Sequence, residues 1–187
     1  FDGYESFYKG MKQDEILLRT FVSYLTINVS QFYRNPNQWE NFEKEIIPYL
    51  VKNYGERFNI WSAACSTGDE PYTIAMILSK YIPMNKINII ATDIDEDVLN
   101  FAREGIYPEK SLVDLPEEYI KKHFAPVDET CYKIHDDIKK CVSFRKHNLL
   151  EDKYFQGMNL IVCRNVVIYF TDEAKDDIYV KFHNSLV

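Results

Sequence analysis

The chain has 187 residues, 46% of them apolar, 15% aromatic and 27% charged. That length supports one sizeable hydrophobic core and is short for two full domains. The apolar share excludes wholesale disorder, and with 6 Gly and 7 Pro the chain is neither collagen-like nor low in complexity. No apolar run approaches the roughly 20 residues of a bilayer span, so no membrane insertion is expected. A formal net charge of −7 argues against a nucleic-acid partner, which usually meets a basic domain.

Residues 13–25 place Ile16, Leu17, Phe21, Tyr24 and Leu25 near helical spacing. A polar loop from Thr26 to Pro36 follows, then a second helix over about 38–53 with Trp39, Phe42, Ile46 and Leu50 on one face, stopped at Gly55. Residues 58–63 form a short apolar strand. The small-residue loop Ala64–Gly68 comes next, then a helix over about 69–80. The branched residues of 87–91 predict a second strand, followed by Thr92-Asp93-Ile94-Asp95 and a helix over 96–103 that ends at Gly105. Two further strands are expected at 142–144 and 160–163, and a last helix over about 172–186. Strands alternating with helices predict right-handed βαβ units and a parallel sheet. Between Tyr119 and His147 the alternation is interrupted. Residues 132–134 and 141–145, with 135–139 between them, read as a hairpin in a small β insertion.

The four cysteines are widely spaced, lack a C-x-x-C pair and read as free thiols of a reducing cytoplasm. The four histidines show no metal-ligand spacing, so no metal is expected. The chain opens on Phe1 without Met or a signal peptide and stops at Leu186-Val187 on an apolar helical stripe. Both ends are expected to be cut rather than natural.

In an open parallel sheet, ligands bind beyond the carboxyl ends of the strands. In the first such loop, small side chains let a ligand approach the backbone, and Asp69 and Glu70 would repel a phosphate but hold a cation. Against that, Thr67-x-x-Glu70 also fits a capping box with Pro71 in the first helical turn. Only Gly68 is present where a dinucleotide fingerprint needs three glycines, which weakens an NAD-dependent oxidoreductase. Asp93 stands where an acidic residue accepts hydrogen bonds from ribose hydroxyls. As a helix cap, Asp95 is better placed. Asn148 offers a donor and an acceptor to an adenine edge, or is a turn residue. Arg164 and Asn165 end an apolar strand, where burial without partners is costly; a structural pair is the alternative. Tyr169 alone reads as a core aromatic. The polar loop with Asn28, Ser30 and Arg34 reads as a linker packed on an unidentified surface.

Taken in order, the segments 26–34, 61–72, 91–95, 145–150 and 163–170 resemble the chemotaxis receptor glutamate O-methyltransferases of the CheR type, which use S-adenosylmethionine. The resemblance implies an α/β fold: a Rossmann-like methyltransferase sheet with a small inserted β-subdomain and a partial N-terminal helical domain. Residues 1–36 would be the remainder of that helical domain and its linker. Residues 37–187 would be the catalytic domain, incomplete at its C-terminus, with 119–147 as the β-subdomain. Asn28, Ser30 and Arg34 would reach the cofactor from the linker. Asp69 or Glu70 would touch it, Asp93 would hold the ribose, Asn148 and Leu149 the adenine side, and Asn165 and Val166 the methionine side. Tyr169 would sit near the transferred methyl, and Arg34 or Arg164 would steer the acceptor.

The implied reaction forms glutamate methyl esters on methyl-accepting chemotaxis receptors in sensory adaptation. It would take place in the cytoplasm, with S-adenosylhomocysteine as product and the enzyme a monomer. A non-catalytic S-adenosylmethionine-binding signalling module is the alternative within the same fold.

Overall fold

The computed structural model describes residues 1–25 and 30–187. Helices α1 (Tyr4–Gln13) and α2 (Glu15–Leu25) form an N-terminal pair. The Asp14 carboxylate between them accepts from the Ile16 and Leu17 backbone N–H groups and so caps α2. Phe7 and Phe21 meet edge-on at 5.2 Å. The expected helix over 13–25 is therefore α2, and α1 is an element the apolar spacing did not announce.

Residues 36–54 form one helical stretch: α3 (Pro36–Asn41), a π-type segment over Phe42–Ile46, and α4 (Ile47–Tyr54). Pro48 has no N–H to donate, and the wider turns lie just ahead of it, with the Ile47 N–H reaching Phe42 O.

The central sheet draws on β1 (Asn59–Ala63) and β2 (Asn88–Asp93), with α5 (Asp69–Leu78) crossing between them and α6 (Glu96–Glu104) following. A smaller antiparallel sheet is built from β3 (Ile106–Pro108), β4 (Phe124–Pro126) and β5 (Cys131–Ile134), with α7 (Glu117–His123) leading into β4. The short α8 (Asp136–Lys139) precedes β6 (Val142–Lys146). Then come β7 (Leu160–Val162) and α9 (Asp172–Ser185). The main sheet is parallel throughout, in the order β6-β2-β1-β7. Ala63 pairs with Thr92, Asp93 with Lys146, and Ser62 with Val162, so the loops after all four strands open at one edge. The chain winds from β1 to β2 on one side and returns to β7 on the other, which makes the β1/β7 crevice the topological switch point.

The expected hairpin of 132–134 with 141–145 is not formed. Residues 131–134 pair with β3 and β4 in the small sheet, whereas 142–146 lies parallel to β2. The intervening 135–139 looks like a polar turn in sequence but is the helical turn α8, opened by Asp136 and Asp137. It carries the chain from one sheet to the other, and the Ile89 N–H bonds to Cys141 O. The small sheet therefore draws its strands from 106 to 134 rather than from 119–147.

The core explains why the elements sit as they do. From Pro71 to Leu78, α5 is buried on every face, as a helix between a sheet and a second layer must be. Trp61 is fully buried on β1, with edge-on contacts to His147, Tyr154, Phe155 and Phe182 at 5.0–5.3 Å, and its indole N–H donates to Thr92 Oγ1 at 2.9 Å. This cluster ties the loop after β6 and helix α9 to the centre of the sheet. Burying such an indole with its N–H satisfied is a large apolar gain at little polar cost. The four cysteines are free.

Candidate functional site

A cavity of about 690 Å³ opens over the carboxyl ends of β1, β2, β6 and β7. Its size is that of a site for a small organic ligand. Ser30, Arg34, Glu70, Asp93, Asn148, Leu149, Asn165, Val166 and Tyr169, all proposed from sequence, line it. Asn28 lies outside the described residues. Asp69 is 1% exposed and does not line the cavity.

The neighbouring carboxylates Asp69 and Glu70 part company because of how α5 begins. Gly68 takes a left-handed φ of +87°, and a Cβ there would lie 2.8 Å from the Ala102 methyl, so the chain can turn this tightly against α6 only with glycine. The expected capping box does not form: no side chain caps α5, and Thr67 Oγ1 donates to Asp69 Oδ2 at 2.6 Å instead. Asp69 points inward and also takes a hydrogen bond from Ser30. Its carboxyl is raised by burial, against the pull of these hydroxyls. Asp69 thereby fastens the linker to α5, helped by the Tyr33 N–H, which donates to Thr73 Oγ1.

Glu70 points into the cavity. Ser62 Oγ donates to its Oε1 at 2.8 Å, and Arg164 Nη1 stands 3.6 Å from its Oε2. Burial pushes its carboxyl up to about 7 against the opposing effects of Ser62 and Arg164. Asp93 ends β2, where its Oδ2 accepts from the Ser66 N–H at 2.8 Å and its Oδ1 from the Asp95 N–H at 3.1 Å. Acceptor capacity remains on the carboxylate for a ligand. Burial raises this carboxyl too, against those backbone bonds. Asp95 caps α6, accepting from the Asp97 N–H at 2.9 Å.

The wall beneath these carboxylates is backbone. Ala64 and Ser66 hold left-handed φ angles of 59° and 49°, and Asn165 across the crevice one of 60°. Non-glycine residues in that region cost of order 1–3 kcal/mol each and gather where a ligand must be approached closely. Ser66 Oγ and His147 Nδ1, both on residues of the cavity wall, are buried with no hydrogen-bond partner among the described residues. Cys65 lies nearby, its thiol raised by burial and by Asp93 and Glu70. Cys163 is pushed up to about 12 by burial and then by Glu70. Both stay thiols, so neither is an activated nucleophile.

Asn148 serves the turn as well as the cavity. Its Oδ1 accepts from the Leu150 N–H at 3.0 Å, and its amide NH2 and second oxygen lone pair remain for a ligand. Tyr169 is 62% exposed at the cavity mouth, not a core aromatic. Arg164 is paired rather than free to steer an acceptor. Sequence reasoning placed Trp39 in a helix face but not at the site, where it lines the cavity and lies beneath the Arg164 guanidinium, 5.0 Å from its ring centroid. His147, Gln31 and Ile94 also line the cavity and carried no sequence signal for it.

A parallel sheet with acidic side chains and a strained small-residue loop at its switch point is an α/β architecture with a ligand cavity at the strand ends, lined by carboxylate acceptors suited to hydroxyls and positive charge. Residues 28–187 match the CheR methyltransferase SAM-binding domain family, and the chain belongs to this family, whose cofactor is S-adenosylmethionine. A chemotaxis protein methyltransferase of Listeria innocua is 42% identical over 180 residues, covering 96% of this chain and 68% of that one. One from Borreliella burgdorferi is 36% identical over 181 residues, covering 91% and 64%. Chemotaxis protein methyltransferase 2 of Vibrio cholerae is 33% identical over 193 residues, covering 100% and 67%. The chain thus spans about two thirds of the length of these relatives. In fold it is similar to the DszA carbon methyltransferase, with a TM-score of 0.52 at 14% identity, covering 82% of this chain and 33% of that one. These findings favour S-adenosylmethionine-dependent methylation in chemotaxis over a nicotinamide oxidoreductase. Among the described residues no helix is long and apolar enough to cross a membrane.

Proposed function

We propose that this protein methylates glutamate side chains of chemotaxis receptors, forming methyl esters. The observation that carries the reading is the pairing of family membership with two ligand-facing carboxylates, Glu70 and Asp93, in one cavity. S-adenosylmethionine, when bound, supplies an electrophilic methyl on a positively charged sulfur. Asp93 accepts hydrogen bonds from the ribose hydroxyls. Glu70 faces the positively charged part of the ligand, Asn148 and Leu149 the base, and Asn165 and Val166 the amino-acid end.

The acceptor needs no general base. A solvated glutamate carboxyl titrates at about 4.3 and is already nucleophilic at neutral pH. What the protein contributes is alignment, which for well-oriented reactants recovers roughly 7–11 kcal/mol. Arg34, which lines the cavity, is the arginine we assign to drawing in the acceptor carboxylate. Tyr169 at the mouth orients the incoming chain. Transfer from a bound sulfonium to a carboxylate would neutralise charge, so a cavity that keeps water out would favour it.

The test is transfer of labelled methyl from S-adenosylmethionine to receptor cytoplasmic fragments, with release as methanol in mild base. Base-labile label lost when the receptor's glutamates are changed to alanine supports the reading; transfer to another residue type overturns it.

A further inference from the structure

The end of β7 and the linker meet through one side chain. Arg164 Nη2 donates to Arg34 O at 2.9 Å and to Asn35 Oδ1 at 3.1 Å, while Nη1 faces Glu70 Oε2 at 3.6 Å. The guanidinium carbon lies 5.0 Å from the centroid of the Trp39 ring, and the Trp39 indole N–H donates to the same Arg34 carbonyl at 3.0 Å. The linker here is backbone that needs holding: Tyr33 and Asn35 have φ angles of 58° and 63°. A planar, five-donor fork stacked on an aromatic face suits this junction, and a lysine cannot reproduce it.

We propose that Arg164 is a positioning residue that holds the ligand-facing carboxylate of Glu70 and the linker at Arg34–Asn35 with one side chain, so that the two are kept in register at the cavity. The proposal rests on the reading that Glu70 faces the cofactor. Burial drives Glu70 towards its neutral form, and Arg164 and Ser62 oppose this. The other ionisable groups around the pair include Arg34, which repels Arg164, the carboxyls Asp93 and Asp69, and the thiols Cys65 and Cys163. The cysteines stay neutral in this range, and Arg164, after the Ser62 hydroxyl, favours the ionised form of Glu70.

The test begins on the ligand-free protein. The Glu70 side-chain carboxyl is followed by carbon NMR against pH in the parent chain, Arg164→Met and Arg164→Lys, with Glu70→Gln identifying the signal. The expected midpoint is near 7 in the parent, higher in Arg164→Met, and close to the parent in Arg164→Lys, which keeps the charge. Calorimetry with S-adenosylhomocysteine is then expected to show at least a tenfold loss of affinity in Arg164→Met. Arg164→Lys should lose about three- to tenfold and show altered Trp39 fluorescence, with Trp61→Phe as the background. An unmoved Glu70 midpoint in folded Arg164→Met overturns the proposal. So does parent-like affinity and fluorescence in Arg164→Lys, which decides the matter if the methionine variant does not fold. Failure of the parent chain to bind the nucleoside, with the Glu70 midpoint still moving, would instead overturn the reading of the site.

Discussion

The Ser66 backbone N–H donates to the Asp93 carboxylate at 2.8 Å, from the loop after one strand to the end of its neighbour. This bond orders the two loops that form the floor of the cavity and leaves Asp93 with acceptor capacity for a ribose. Asp93→Ala should leave the Ser66 and Asp95 amides without this partner, costing about 1–3 kcal/mol of stability. It should also weaken S-adenosylhomocysteine more than tenfold. Asp93→Asn keeps the shape and one acceptor but turns its NH2 towards the other backbone amide, so it should recover only part of the stability and little of the affinity. Denaturant unfolding and calorimetry on both variants separate the two roles; equal affinities for Asp93→Asn and the parent would remove the ribose assignment.

Glu70 should make the protein less stable as pH rises. Its carboxyl titrates near 7 in the fold and near 4.5 unfolded. Between those values the folded state binds more protons, so stability is greatest below 4.5 and falls as pH climbs through 7. The full difference amounts to about 3 kcal/mol. Glu70→Gln keeps a partner for Ser62 and removes this penalty, but it leaves Arg164 without a carboxylate, which offsets part of the gain. The melting temperature at pH 8 should therefore rise by about 2–4 °C, with no rise at pH 4.5, while S-adenosylmethionine affinity falls. Stability lost at the site in exchange for function is common.

The strand-end loops were legible because their chemistry is local. A run of small residues after an apolar strand, or an acidic residue just past a branched one, has few structural reasons to exist. The different fates of Asp69 and Glu70 were not legible, because successive helical positions point about 100° apart and only the left-handed start at Gly68 decides which faces the cavity. Trp39 and Arg164 meet across most of the chain, and no local pattern reports such a contact. The false hairpin has a similar cause: a four-residue helix carries too little periodicity to be told from a turn.

His123 should oppose Glu70 in acid. It is 1% exposed at the end of α7, stacked on Tyr119, with no hydrogen-bond partner for Nε2 among the described residues. Burial lowers its pKa from 6.5 to about 4, helped by Lys122 and His135 and opposed by Asp137. Between those values the unfolded chain binds the extra proton, so this contribution is whole above 6.5 and is lost as pH falls towards 4, up to about 3 kcal/mol. In the Glu70→Gln background, urea unfolding should show stability dropping from pH 7 to pH 4.5. His123→Phe should flatten that slope. A slope unchanged by the substitution would assign the acid sensitivity elsewhere.

Arg34→Ala should lower methyl transfer to receptor fragments at least tenfold. If Arg34 attracts the acceptor, the loss appears in KM for the receptor fragment and grows smaller at high salt, where charge steering is screened. Nucleoside affinity should change less than turnover. Unchanged kinetics in this variant would leave the acceptor without its proposed partner.

Asp69 should behave in the opposite way to Glu70, although the two are adjacent. Its carboxylate is an internal acceptor for Thr67 and Ser30, which fastens the linker to α5. Asp69→Ala leaves those hydroxyls without their acceptor and should cost about 1–3 kcal/mol at pH 7, where Glu70→Gln stabilises. Affinity for S-adenosylhomocysteine should fall as well, because Ser30 loses its tether at the cavity wall. The loss should be similar for S-adenosylmethionine, since Asp69 does not line the cavity to meet the ligand's positive charge. Asp69→Asn, which keeps an acceptor oxygen, should restore most of both. A selective loss of the charged ligand in Asp69→Asn would instead mean that this carboxylate reaches the ligand directly.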